Sequence, residues 1–311
     1  MDNTFMIIND LVSRRAELRA KLNLLPYDGT VEVKEISGKK YLYIRKKVLG
    51  KTTSTYVDVY SDDLYNLLVR NSKEARSLRK EIRGIDKELA KNNYSDKEIS
   101  SDVILNLEFA RSNMKRIIYD QAILEGVATT FPDTEIIIDN GKVKDVSTND
   151  VLKILNLKHA WEFILDEDII NAQSDYYLAS YLARLVNEGF FIEGGKLRNV
   201  PVKIGGTNYA PEVPLEVNVK EDIDNILNSK QDDYDIAIDL CLYVMKKQLF
   251  NDGNKRTAVI YANHYLISKG KGLLIIPYDR VDEFRKLLID DYDDTNINGV
   301  KVCLKECINK F

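Results

Sequence analysis

The chain has 311 residues and a mass of 35.7 kDa, above the roughly 250–300 residues at which single cores stop growing, so two domains are expected. Its composition, 44% hydrophobic and 30% charged, is that of a chain able to bury a core, and no run approaches the roughly 18–20 apolar residues of a membrane span. The net charge of −4 is unevenly spread: residues 1–100 hold 20 Lys+Arg against 15 Asp+Glu, and residues 101–311 hold 25 against 34. The N-terminus MDNTFMIINDLVSRRAEL lacks the basic-then-apolar order of a signal peptide, which predicts a cytoplasmic protein. Cys241, Cys303 and Cys307 are too few for a disulfide framework and read as reduced core residues. The two histidines, His159 and His264, leave little room for His-rich metal sites or a Ser-His-Asp triad.

Ile8, Leu11, Leu18 and Leu22 fall at helical spacing, with Arg14, Arg15 and Arg19 between them, and Pro26 stops the helix. From Val31 the period changes to two. VEVKEI, YLYIRKKV and STYVDVY, separated by turns at Gly38 and Gly50, predict a three-stranded antiparallel meander. A long helix follows from about Asp62, where Ala75, Leu78, Ile82, Ile85 and Leu89 repeat at steps of 3, 4, 3 and 4. Such a seam suits packing against the first helix or against a second chain in a homodimer. The pattern breaks near NNYSDKE, residues 92–98, and a domain boundary is placed there, giving modules 1–95 and 96–311.

The remainder reads as mainly helical, with helices expected at about 100–121, 148–166, 169–189, 219–229, 233–247, 254–269, 280–291 and 296–310. Two β interruptions are expected. One is a hairpin over Gly194–Gly206, bounded by glycine pairs, and the other a smaller piece over residues 134–146 with an Asn140-Gly141 turn.

The segment most informative about chemistry is Lys247-Gln248-Leu249-Phe250-Asn251-Asp252-Gly253-Asn254-Lys255-Arg256-Thr257, a turn between two apolar helices. Lys255 and Arg256 open the second helix, an end where the dipole disfavours cations. Two cations beside free backbone N–H groups are suited to hold an anion such as phosphate. Asp252 beside them could hold a hard cation such as Mg²⁺. A solvated loop ahead of a capped helix is the alternative on local chemistry alone.

This segment resembles the signature loop of the Fic (Fido) family, H-x-F-x-(D/E)-G-N-(G/K)-R-x-x-(R), and TAVIYANHYLISKGKGLLII resembles that family's next helix. Gly195–Pro211 is similar to the flap that precedes the loop, so the resemblance covers about residues 110–300. It implies a mainly α (α+β) fold: an all-α Fic-type helical domain with a β-hairpin flap, here preceded by a small N-terminal domain of helix, three-stranded meander and long helix. It further implies binding of ATP with Mg²⁺ and transfer of AMP to a hydroxyl side chain of a target protein. On this resemblance Phe250 anchors the loop, Asp252 binds the metal, and Gly253, Asn254, Lys255 and Arg256 hold phosphate. Arg198, Val200, Val202 and Tyr209 of the flap would dock the target. Lys255 matches the Doc branch, whose members are described as kinases, so phosphorylation stays open as an alternative.

Two departures bear on the reaction. The family's histidine, its general base, aligns with Gln248, and an amide has no useful basicity near neutral pH. Val259 falls where many members have a second arginine, the partner of an inhibitory glutamate. Gln121–Gly126 resembles the inhibitory motif, so Glu125 and Gly126 are candidates for that role, with Arg256 as a substitute partner for Glu125; capping the helix is the alternative. A catalytically degenerate Fic domain acting as a regulatory or binding module is therefore a second functional expectation. In the N-terminal module, Lys39, Lys40, Arg45, Lys46, Lys47 and Lys51, interleaved with Tyr41 and Tyr43, form a candidate nucleic-acid patch. Lysines that keep a sheet edge from aggregating are the alternative.

Overall fold

A computed structural model describes residues 3–27, 29–48, 51–92, 94 and 98–310, and divides the chain into two compact units, Met1–Asp96 and Lys97–Phe311. Gly50 and part of the 92–98 boundary segment lie outside the described residues, as do the side chains of Lys47 and Lys51.

In the first unit, helix α1 (Asn3–Leu24) leads into strands β1 (Thr30–Ile36), β2 (Lys39–Val48) and β3 (Lys51–Val59), followed by helix α2 (Asp62–Lys91). The strands form an antiparallel meander in the order β1-β2-β3. Its buried side, Leu42 and Ile44, packs with Leu68 of α2 and with Val31, Val57, Leu64 and Tyr65. Ser61 caps α2 by accepting from the Leu64 N–H, a bond of the kind that satisfies one orphan donor of the first turn. The heptad seam is buried on α1: Leu78, Ile85 and Leu89 cluster with Leu18, and Ile8, Leu11, Val12, Leu22 and Ile82 pack around them. The Asn71-to-Pro26 hydrogen bond and the Arg14–Glu81 ion pair mark the antiparallel sense of the two helices. The seam is therefore satisfied within the chain.

The second unit is built from α3 (Ser101–Leu124), α4 (Phe131–Ile138), α5 (Thr148–Ile164), α6 (Glu167–Ile170), α7 (Tyr176–Val186), α8 (Glu216–Leu227), α9 (Asp233–Lys247), α10 (Asn254–Ser268), α11 (Val281–Tyr292) and α12 (Ile297–Glu306). A two-stranded antiparallel ladder pairs β4 (Leu273–Leu274) with β5 (Ile308–Asn309). The architecture is mainly α, as expected. Helix α10 is the centre of the core: every residue from Arg256 to Ile267 is buried, and the helix packs against α3, α5, α7 and α9. Thr257 Oγ1 is buried there without a hydrogen-bond partner, but two polar side chains further along the helix are bonded to neighbouring segments. Asn263 donates to the Val259 and Leu274 carbonyls and accepts from the Leu274 N–H, so it ties β4 to the helix. His264 bridges Ser174 Oγ (2.7 Å) and the Ile169 carbonyl (2.8 Å). All three cysteines are free and buried. Among the described residues no helix is long and apolar enough to cross a membrane.

Three expectations are corrected. Residues 134–146 contain no strand: Thr130 caps α4 by accepting from the Asp133 N–H, and Pro132 stands in its first turn. Those start signals override the β-branched run, because Thr134, Ile137 and Ile138 then share one buried helical face. The expected helix at 169–189 is two, α6 and α7, since Asp175 caps a new helix through the Leu178 N–H. The Gly194–Gly206 segment carries no strand ladder; its one β-type contact is the bridge from Leu197 to Phe250.

Candidate anion-binding loop and its flap

The loop between α9 and α10 is shaped by its own side chains. Gln248 ends α9 in the left-handed conformation (φ 47°), uncommon for a residue with a side chain. Its amide Nε2 donates to the Met245 carbonyl at 2.6 Å, supplying one of the caps that helix C-termini need. Leu249 and Phe250 then enter the core. Asn254 closes the turn: its Oδ1 accepts from the Phe250 N–H (2.9 Å), and its Nδ2 donates to the Phe250 carbonyl (2.8 Å) and more weakly to Gln248 Oε1 (3.3 Å). Gly253 sits at φ 70°, with an added Cβ meeting Asn187 Oδ1 and Val186 Cγ2 at 3.0 Å. Both the positive φ and the tight surroundings favour glycine there.

This geometry leaves the N-terminus of α10 without a side-chain cap. Uncapped first-turn N–H groups and the positive end of the helix dipole make such a terminus suited to an anion. Among the described residues, Lys255 has no hydrogen-bond or ion-pair partner, and its side chain is half-buried.

Arg256 is placed differently from that neighbour. It is 1% exposed and ringed by acceptors: Nη1 donates to the Val186 carbonyl (2.7 Å), Nη2 donates to Asp252 Oδ2 (2.8 Å), and Nε lies 3.4 Å from Glu125 Oε2. Its carbonyl accepts from Gln121 Nε2, and Gln121 Oε1 in turn accepts from Trp161 Nε1. Glu125 is the C-cap residue of α3 and Gly126 follows at φ 74°, so Glu125 both ends its helix and faces the arginine. The pair is imperfectly bonded: Glu125 Oε1 and Arg256 Nε are buried without a hydrogen-bond partner. Val259 is buried in the core.

The flap is attached to this loop through Arg198, also 1% exposed. Its guanidinium donates to the carbonyls of Gln248 (2.6 Å), Lys247 (3.3 Å), Val200 (2.8 Å), Pro211 (3.0 Å) and Glu212, while its N–H bonds the Leu249 carbonyl. Burial pulls the guanidinium down from its ordinary pKa. Arg198 thus gathers both ends of the flap onto the C-terminus of α9, where the carbonyl dipoles favour a cation, and its side chain does not face outward. Val200 is 51% exposed, Val202 is half-buried, and Tyr209 stacks on Tyr292 with ring centroids 6.0 Å apart. Thr207 Oγ1 and the Asn208 N–H both donate to Asp293 Oδ1, holding the flap tip on α11.

Neither histidine reaches the loop's polar atoms. His264 is fully buried, and burial lowers its pKa to about 4. His159 pairs with Glu188 at 3.1 Å.

Residues 165–266 match the model of the Fic/DOC family. The chain carries a Fic/DOC family domain. A second family model, a domain of unknown function (DUF6788), matches residues 8–66. Among solved structures the chain resembles Fic-1 of C. elegans, with 18% identity, a TM-score of 0.55 and 79% of this chain aligned to 81% of that one. It also resembles a Fic domain containing signaling protein from Bacteroides thetaiotaomicron, with 15% identity, a TM-score of 0.52 and coverage of 71% and 91%. A Fic family protein from Desulfovibrio desulfuricans aligns with 15% identity, a TM-score of 0.50 and coverage of 69% and 75%. No curated protein matches the chain.

Within the Fic/DOC domain, the residues that sequence reasoning overlooked are those that brace the loop from other helices. Asn187 donates to the Asp252 carbonyl (2.9 Å) and accepts weakly from Arg256 (3.5 Å). Gln121, the first residue of the stretch that resembles the inhibitory motif, links α3, α5 and α10. The indole N–H of the single Trp was the one available signal, since a buried Trp needs an acceptor. In the first unit, β2 alternation divides the cationic run. Arg45 shares the Tyr41 and Tyr43 side, whereas Lys40 and Lys46 share the opposite side with Leu42 and Ile44. Lys39 stands opposite Ile36 at the β1-β2 turn. The described residues of the run are therefore split between two sides of the sheet.

Proposed function

We propose that the loop from Gln248 to Arg256 binds the phosphates of ATP, and that the chain transfers AMP from it to a hydroxyl side chain of a target protein at a rate held low by the absence of a general base. The observation that supports phosphate binding best is the uncapped α10 terminus beside the unpartnered Lys255. The Gly253 and Asn254 conformations hold those N–H groups in place, and Asn254 acts through the loop's shape, because its amide is already bonded.

Asp252 fits the requirement for Mg²⁺, which is commonly held by one or two carboxylates together with substrate phosphates. Its side chain is 49% exposed and only its Oδ2 is engaged by Arg256. A bound Mg²⁺ would neutralise charge on the phosphates. In the transfer, the target hydroxyl oxygen forms a bond to the α-phosphorus as the bond to the bridging oxygen of the pyrophosphate leaving group breaks, and the hydroxyl proton must depart. Gln248 cannot take that proton, and its amide N–H is already committed to Met245. Loss of a positioned base costs about 10²–10⁴-fold in rate. Arg256 supports the site from beneath, fixing Asp252, the Val186 carbonyl and the Asn187 side chain. Glu125 restrains Arg256 in that position, a regulatory role in which its neutralisation would alter nucleotide affinity. Of the four flap residues expected to dock a target, Val200 is the exposed one, with Val202 and Tyr209 setting the flap's course.

A second reading, a degenerate domain that binds nucleotide or a partner without transfer, is favoured by the Gln248 hydrogen bonds, which give this side chain a capping role in place of a catalytic one. Titration calorimetry with ATP and Mg²⁺ tests the shared premise: wild type should release heat and Lys255→Ala should bind at least several-fold more weakly. No heat with wild type would remove the proposal. With α-labelled and γ-labelled ATP and lysate, protein-bound α label supports AMP transfer, γ label alone supports Doc-like kinase chemistry, and label seen only with Gln248→His supports the degenerate domain.

A further inference from the structure

Helix α2 carries on its outward side a feature that neither the heptad seam nor the Fic/DOC domain uses. Lys73, Arg76, Lys80, Arg83, Lys87 and Lys91 recur at steps of 3, 4, 3, 4 and 4. At 100° per residue they fall within a sector about 80° wide, opposite the seam that packs on α1. All six are exposed. At 1.5 Å per residue the row is about 27 Å long. The acids of this stretch lie beside the row, not within it. Glu74, Glu81 and Glu88 form a neighbouring line, where Glu81 pairs with Arg14 and Glu88 with Lys91. Among the described residues Lys73, Lys80, Arg83 and Lys87 have no ion-pair partner.

We infer that this row is a binding surface for nucleic acid, engaging the phosphodiester backbone without reading sequence. Charge complementarity carries the inference. Six cations in a row with no intervening acid repel one another, and a linear array of phosphates relieves that repulsion while releasing condensed counterions. The chemistry of the sector argues against a lipid surface as the occupant. No other residue between Lys73 and Lys91 falls within the sector, and the positions nearest its edges are Gly84 and Ala90, whereas an interfacial helix needs large apolar side chains to bury among the headgroups. The apolar face of α2 is already covered by α1. The same unit's meander adds cations in excess: residues 30–59 hold seven Lys/Arg against three Asp/Glu. Tyr41, Tyr43 and Tyr56 also cluster on its outer side, with ring centroids 5.6–6.2 Å apart. Among the described residues, the row on α2, and not the divided run on β2, is the continuous cationic surface of this unit.

The test is fluorescence anisotropy of the full chain with a labelled duplex DNA of about 30 base pairs and with a single-stranded RNA, between about 50 and 200 mM salt. Wild type should bind at the low end, and contacts along the whole row give a slope of log K against log salt of about −5 on the duplex. Lys73→Gln/Lys80→Gln/Lys87→Gln, all exposed positions, should weaken binding at least tenfold and bring the slope to about −3, with an unchanged circular dichroism melt. Lys39→Gln/Lys40→Gln should bind within about twofold of wild type, since it leaves every phosphate contact of the α2 row in place. Binding of either nucleic acid that the α2 substitutions weaken supports the inference. No binding at low salt, a triple variant that binds like wild type, or attachment to phosphatidylserine vesicles with none to nucleic acid overturns it.

Discussion

Replacing Arg256 by Met would test whether the loop is held by a buried charge pair. The substitution keeps the side chain's reach and removes its charge, leaving Glu125, whose side chain is 12% exposed, as a nearly buried carboxylate with no cation. Breaking such a pair from one side typically costs about 3–5 kcal/mol. Asp252 adds little, because it is half-exposed and an ion pair of that kind contributes at most about 1 kcal/mol. The expected loss for Arg256→Met is therefore about 4 kcal/mol, and adding Glu125→Gln should return about 2 kcal/mol by removing the stranded charge. Glu125→Gln alone should cost about 1 kcal/mol, since Arg256 keeps Asp252 and the Val186 carbonyl. The assay is urea unfolding followed by Trp161 fluorescence. Trp161 is the only tryptophan and is buried in the second unit beside Gln121, so the signal reports on that unit without interference from the first. Additivity of the two substitutions to within about 0.5 kcal/mol would show that Glu125 and Arg256 do not act on each other and would refute the reasoning.

Acid should weaken the second unit through His264. Its folded pKa of about 4 lies below the ordinary 6.5, so the unfolded chain takes up the proton first. The contribution is complete above pH 6.5 and is lost as the pH falls from 6.5 towards 4, by about 3 kcal/mol in all; a His264→Gln variant whose stability declines over that window as steeply as wild type would contradict this. Gly253→Ala should distort the loop, at a cost of about 1–2 kcal/mol from the left-handed backbone alone, and should abolish ATP binding in calorimetry even where the protein remains folded. Arg198→Met should leave the carbonyls of Lys247, Gln248, Val200, Pro211 and Glu212 without their donor, so limited proteolysis should cut between residues 199 and 215 much faster than in wild type. Unchanged cleavage would show that the flap is held by other contacts.

The loop was legible because its conformation is dictated locally. Gly253 has to supply a positive φ, Asn254 has to close the turn on Phe250, and an apolar helix on either side fixes the ends, so residues 247–257 specify a tight turn between two helices. The first unit was legible for a similar reason: a change from period 3.6 to period 2 and back marks helix, meander and helix. Where local signals competed, the outcome belonged to the core. Residues 134–138 have β-branched side chains, yet a cap and a proline start a helix whose face the core can bury. The glycine-bounded flap has alternating residues, yet Arg198 draws its two ends onto the end of α9 and no ladder forms.

What the sequence determined by itself was the kind of loop, the mainly helical class and the excess of positive charge in the first hundred residues, since each depends on short-range spacing or on composition. Only the tertiary structure decided which charges are available. Lys255 and Arg256 are neighbours in the chain, yet one stands half-buried and without an ion-pair partner among the described residues at a helix start, while the other is enclosed by Val186, Asp252 and Glu125, because successive helical residues point about 100° apart and the core lies on one side only. Strand alternation likewise divides the cations of β2 between two sides of a sheet, and the helical repeat gathers six of the eight cations of α2 into a single row.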